Sequence, residues 1–144
     1  MNEETVKNSR DRYLAANSLS VESYGAKNFP LYLWKSTVYI PNPGFLHFHD
    51  LHHVVTGYGT GLVGEAEISA YELRGGYYST MILVLCLGAI LIGIFISPKR
   101  IWRAWKRAKG AKTLYHTEIP YEKLLEMRVA DLRAHLGVER GGYK

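Results

Sequence analysis

Residues 45–73 read FLHFHDLHHVVTGYGTGLVGEAEISAYEL, and their reading decides the fold class. Phe45 to Thr56 has helical character, glycines at 57, 59 and 61 interrupt it, and Leu62 to Leu73 resumes it. Two helices joined by a glycine-rich reversal is the expectation. On the first, His49 and His53 are four apart and share a face. Asp50 lies about 100° round from His49. On an unbroken helix Glu65 would sit roughly 18 Å from His53, too far to share a ligand. Glycine readily takes the backbone angles that reverse a chain, so a folded-back pair can bring Glu65 opposite the two imidazoles. The expected site is His49, Asp50, His53 and Glu65. This mixed nitrogen and oxygen set suits a divalent metal: zinc, iron or manganese. His52 points elsewhere on the helix and is expected behind the ligands or in solvent. His47 reads as structural, and Glu72, seven residues after Glu65, as a reserve carboxylate.

Outward from this stretch the chain continues to read as helix. Arg10 to Ala16 is a short helix candidate. Met81 to Ile96 is apolar throughout, apart from small residues. Ser97-Pro98 starts a basic helix, with Ser at the cap and Pro at the first helical position, running to about Lys109. Tyr121 to Leu136 is a last helical region, stopped by Gly137. Leu31 to Ile40 (LYLWKSTVYI) has the aromatic and β-branched content of a strand, but a lone strand needs a partner. An irregular or helical reading therefore stays open, with a turn at Pro41-Asn42-Pro43-Gly44. The expectation is an all-α fold: residues 1–144 as a single compact helical domain, with one long apolar helix and a basic helix after it.

Composition sets the outer bounds. The chain has 144 residues, 47% apolar and 22% charged, which excludes wholesale disorder. One cysteine, Cys86, excludes an internal disulfide or a Cys-pair metal ribbon. The N-terminal stretch MNEETVKNSRDRYLAANSLS has no apolar core, so no secretory signal is expected. Gly75 to Ser97 carries no charge, while Pro98 to Thr113 holds seven of the 18 Lys and Arg and no acid. That order suggests a membrane surface and argues against nucleic acid, which would leave the apolar block unexplained. Residues 77–97 approach the roughly 20 needed to span a bilayer, and Tyr77, Tyr78, Trp102 and Trp105 flank them like an interfacial belt. A span would put the histidines across the membrane from the basic, cytoplasmic side. A buried bundle or dimer helix, or one dipping into a single leaflet, avoids this. The expectation is membrane association, peripheral or single-pass, with the metal site on the cytoplasmic side.

The stretch from His49 through Gly59, with Glu65 following, resembles the signature of the ubiquinone (coenzyme Q) biosynthesis protein 4 family: H-D-x-x-H, eleven residues, then E. Arg12 to Ser20 resembles the family's segment before the motif, and Tyr121 to Val138, with Leu132-Arg133 and Leu136-Gly137-Val138, its closing helix. His52 stands where the family commonly carries an aromatic residue. The resemblance implies a divalent metal, zinc above iron or manganese. It also implies a role in removing the carboxyl group of a polyprenyl hydroxybenzoate precursor, a lyase-type step, with oxygen installed at that ring carbon. Asp50 or Glu65, whichever is not a ligand, would move the proton. Implied partners are the polyprenyl precursor, membrane lipid, other ubiquinone-biosynthesis proteins and a second copy of the chain. A non-catalytic lipid-binding organiser of those proteins is the alternative. H-D-x-x-H also resembles the H-E-x-x-H motif of zinc peptidases, but the shorter Asp and the glycine break fit that class poorly.

Overall fold

The computed structural model describes residues 4–33, 35–42 and 44–144. The first three residues of the N-terminal stretch, the middle of LYLWKSTVYI and the third residue of the Pro41–Gly44 turn lie outside them. The order is α1 (Val6–Ala16), β1 (Asn28–Leu33), β2 (Ser36–Pro41), α2 (Leu46–Thr56), α3 (Leu62–Gly75), α4 (Thr80–Ile96), α5 (Pro98–Arg107), α6 (Tyr121–Glu126) and α7 (Val129–Leu136). Short 3-10 turns lie at Val21–Gly25 and Leu114–His116.

The helical expectation holds for most of the chain and needs two corrections. First, LYLWKSTVYI is neither a lone strand nor a helix. It straddles the turn of an antiparallel hairpin, so its partner lies within itself: Leu31 pairs with Val38, Tyr32 with Thr37 and Leu33 with Ser36. The hairpin is moored by Asn42. Its side-chain amide donates to the carbonyls of Tyr24 and Ala26 (3.2 and 2.7 Å), and its oxygen accepts the Gly44 N–H (2.8 Å). Second, Tyr121–Leu136 is two helices. Between them the chain runs extended at Met127 and Arg128 to pair with the segment before α1. The Val6 N–H donates to the Met127 carbonyl (2.8 Å), and the Val129 N–H to the Glu4 carbonyl (3.0 Å). A backbone recruited into that bridge cannot also close helical hydrogen bonds.

The centre of the core is α3. Ala66, Ile68, Ala70 and Tyr71 are fully buried. They pack with Leu51 and Val55 of α2, Ile101, Ala104 and Ala108 in and just after α5, and Leu132 and Leu136 of α7. The Tyr71 hydroxyl donates to the Lys112 carbonyl, tying α3 to the segment after α5. Ser97 and Pro98 sit at the α5 cap and first helical position as expected, although the Ser97 side chain makes no cap bond.

The apolar α4 is only partly covered. It buries Ile82, Cys86 and Gly93 and exposes Val84, Leu87, Leu91 and Phe95, the last at 83%. Its 17 residues reach about 25 Å against a hydrocarbon core of roughly 30 Å. Among the described residues no helix is long and apolar enough to cross a membrane, so the spanning reading of residues 77–97 is not supported.

Candidate metal centre

The end of α2 and the start of α3 build the site. Gly57 closes α2 in the left-handed region at φ +78°, a conformation that costs a residue with a Cβ. The chain then returns so tightly that a Cβ on Gly64 would lie 2.0 Å from the Gly59 carbonyl oxygen. Gly64 is therefore a required glycine of the turn, besides those the sequence singles out. This reversal brings Glu65, in the first turn of α3, back against α2.

Three expected ligands converge. His49, His53 and Glu65 offer ligand atoms all within 4.8 Å of one another. The His49 Nε2 is 3.3 Å and the His53 Nε2 3.4 Å from the Glu65 carboxylate, and the two Nε2 atoms are 3.2 Å apart. The far ring nitrogens fix the tautomers. His53 Nδ1–H donates to the Tyr58 carbonyl (2.9 Å), and His49 Nδ1–H donates to Glu72 (2.8 Å). Both Nε2 atoms then face Glu65, the orientation that metal-binding histidines adopt, and without an ion the protonated His49 Nε2–H donates to that carboxylate. The Tyr13 ring stacks on His53 at 5.4 Å and 19°.

Asp50, the fourth expected ligand, is buried beside this group. Its carboxylate accepts the Tyr24 hydroxyl (2.7 Å), and it is not one of the three residues that come together within 4.8 Å. His52 stands behind the ligands, one of the two places expected for it. Its Nε2 accepts the Leu114 N–H (2.9 Å), which leaves Nδ1–H to donate to Glu72 (2.7 Å). His47 is structural: its ring packs on Phe48 and edge-on to Tyr121.

Glu72 is the residue whose importance the sequence understates. It is 2% exposed, and one of its oxygens accepts from His49, His52 and the Tyr115 hydroxyl (2.8 Å). Cys86 Sγ lies 3.7 Å from the other oxygen. Only the heptad spacing from Glu65 signals it. Nothing local announces Tyr24 or Tyr115.

Charge in the site follows from these contacts. Burial pushes Glu65 up, but hydrogen bonds from His49 and His53 outweigh it and hold the carboxyl down to about 2. Glu72 is likewise held well below the carboxylate range, against burial, chiefly by the charge of His49. Burial would drive a proton off His49, yet Glu72 and Glu65 overcome it and raise its pKa well above the usual value. Burial lowers His52 and raises Asp50, and it raises the Cys86 thiol far enough to make it inert. The His49–Glu65 cluster thus has the charge of a cation site, in which an ion would displace the proton from His49. A cleft of about 550 Å³ nearby, lined by Arg12, Tyr13, Asn17, Val54 and Arg133 among others, shares Tyr13 with this region.

Residues 45–141 match the family described as coenzyme Q (ubiquinone) biosynthesis protein Coq4. The chain belongs to the Coq4 family. It is similar to curated Coq4 relatives named as mitochondrial ubiquinone biosynthesis proteins. That of Aspergillus flavus is 29% identical over 98 residues, covering 64% of this chain and 33% of the relative. That of Clavispora lusitaniae is 30% identical over 98 residues, covering 64% of this chain and 30% of the relative. The chain therefore spans about a third of the length of the curated Coq4 proteins it matches. The matched region contains all four expected ligands and the four glycines of the turn, Gly57, Gly59, Gly61 and Gly64.

Proposed function

We propose that this chain acts in ubiquinone biosynthesis, in the metal-dependent decarboxylation of a polyprenyl hydroxybenzoate precursor. The observation that carries the reading is the convergence of His49, His53 and Glu65 with both imidazole tautomers fixed for metal. His49, His53, Glu65 and Asp50 are the proposed ligands, and this mixed nitrogen and oxygen set suits zinc, iron or manganese. When bound, the ion polarises ring oxygens and stabilises charge on the ring.

The chain's own residues do the rest. Glu72 and the Tyr58 carbonyl hold the two imidazoles in orientation. When not a ligand, Asp50 can take up the proton beside the site, its carboxyl fixed by Tyr24 and its pKa raised by burial. Asp50 and Glu65 are the proposed catalytic carboxylates. The exposed apolar side of α4 suits the prenyl tail and membrane lipid.

That same uncovered α4 face favours a second reading, a lipid-binding organiser that holds other ubiquinone-biosynthesis proteins. One experiment separates the two. Lipid extracts of a deletion strain are compared by mass spectrometry, with rescue by wild type and by Glu65→Ala. The enzyme reading expects one prenylated, still carboxylated ring to accumulate, with no rescue by folded Glu65→Ala. The organiser reading expects several intermediates to fall together and Glu65→Ala to rescue. Unchanged quinone and intermediates would overturn both.

A further inference from the structure

On the side of α3 that faces α5 lies a second cluster that the metal centre does not use. Arg100, Arg103, Ala104 and Arg107 recur at the spacing that places them on one helical face. With Tyr58, Glu67 and Lys144 they line a concave pocket of about 230 Å³. Glu67 is buried and engaged, accepting two bonds from Arg100 (2.9 and 2.6 Å). Arg107 donates to the Tyr143 carbonyl and lies 4.0 Å from the exposed Glu139. Neither Arg103 nor Lys144 has an ion-pair partner among the described residues. Among the side chains, four cations thus meet two carboxylates, one of them committed to Arg100.

Tyr58 supplies the independent observation. It is 6% exposed, and its hydroxyl is the buried side-chain polar atom left without a hydrogen-bond partner among the described residues. Arg107 acts on its oxygen only as a donor, so the hydroxyl proton is what lacks an acceptor. A buried hydroxyl whose proton has no acceptor is costly, and Tyr58 is one of the residues lining the cationic pocket, where a bound anion would supply one. Guanidinium forks match the tetrahedral oxygens of phosphate.

We propose that Arg103, Arg107, Lys144 and the Tyr58 hydroxyl form a binding site for a phosphate group. Arg100 is held at its edge by Glu67. The group is carried either by a soluble phosphate or by a phospholipid head. Its position on α5, directly after the exposed apolar α4, permits either source.

The test uses the full chain, with inorganic phosphate as the probe and thermal unfolding as the first readout. Against sodium chloride of equal ionic strength, phosphate is expected to raise Tm by a few degrees. Arg103→Ala is expected to weaken the apparent affinity roughly tenfold. Tyr58→Phe is expected to weaken it too, while raising Tm in the absence of phosphate, because the unpartnered hydroxyl is gone. Lys109→Ala removes the same charge from the turn after α5, outside the residues that line the pocket, and is expected to leave affinity within about twofold. His53→Ala is expected to keep the phosphate effect, which separates this pocket from the metal centre and from the proposed chemistry.

Vesicles of phosphatidylcholine with and without phosphatidylglycerol then assign the source. Binding to the anionic vesicles that phosphate competes away and Arg103→Ala loses marks a lipid head. Vesicle binding indifferent to both, with phosphate affinity still lost in Arg103→Ala, marks a soluble phosphate. No Tm rise beyond the chloride control, an equal loss in Lys109→Ala, or disappearance of the effect in His53→Ala would overturn the proposal.

Discussion

Three donors on a single oxygen make Glu72 the residue on which the centre depends, although it is not one of the three converging groups. Glu72→Ala leaves the Nδ1–H of His49, the Nδ1–H of His52 and the Tyr115 hydroxyl without their acceptor in a buried place. The expected loss is about 3–5 kcal/mol in urea unfolding of the metal-free protein. Glu72→Gln keeps the shape and one acceptor, so it should fold. With its hold on His49 weakened, metal affinity should drop roughly 10–100-fold in a competitive chelator titration. For the ligands themselves, elemental analysis should find about one divalent metal per wild-type chain and little in His53→Ala. Equal metal in the two would remove the assigned site. His49, His53 and Glu65 were legible because helical spacing and a glycine break are local signals. Tyr115 was not, because it reaches Glu72 across 43 positions and only the folded chain brings them together. His52 was legible only as a direction on a helix: its pairing with the Leu114 N–H depends on where a distant segment settles.

Between residues and the whole molecule, the α2–α3 turn shows how an element boundary sets the chemistry. The glycines at 57, 59 and 61 announced the reversal in the sequence. Gly64 was not announced, because it lies inside a helical pattern, where glycine reads only as a weak propensity. Its requirement comes from the Gly59 carbonyl, which a Cβ would meet at 2.0 Å. Backbone cannot yield as a flexible side chain does. Gly64→Ala is therefore expected to destabilise the protein by about 1–3 kcal/mol. It should also lower metal affinity by displacing Glu65, the next residue. Urea unfolding with a parallel metal titration checks both, and unchanged affinity would show that Glu65 is positioned by something other than this turn. The other elements were legible in proportion to their periodicity. The helices α2 to α5 fell close to their expected limits. The hairpin was obscured because its turn lies within the strand-like run, and the α6–α7 break because its cause is the pairing of Thr5 with Arg128 at the other end of the chain.

At the scale of the molecule the question is what the uncovered apolar surface does in water. The α4 helix presents Val84, Leu87, Leu91 and Phe95 outward, and Trp102 on the following helix is 60% exposed. Beside them α5 carries Lys99, Arg100, Arg103, Lys106 and Arg107 with no acid. Composition already showed the order of apolar block and basic block, but not which side chains face outward, since α4 is apolar all round and has no periodicity to read. An apolar face continuous with a basic helix suits the boundary between acyl chains and anionic heads. A helix of 17 residues lying in that plane needs no span. The protein is therefore expected in the membrane fraction of cells, retained by apolar contact and by charge together. Moderate salt should release part of it, because screening weakens only the basic contribution. Carbonate should release the rest, as it does for proteins held without a spanning segment. Phe95→Glu, at the most exposed apolar position, should move much of the protein to the soluble fraction while leaving the metal content unchanged, since the proposed ligands lie on α2 and α3. Retention through carbonate would mean that the chain is anchored more deeply than α4 lying flat allows. Full recovery without detergent in the soluble fraction would mean that something other than lipid covers the α4 face.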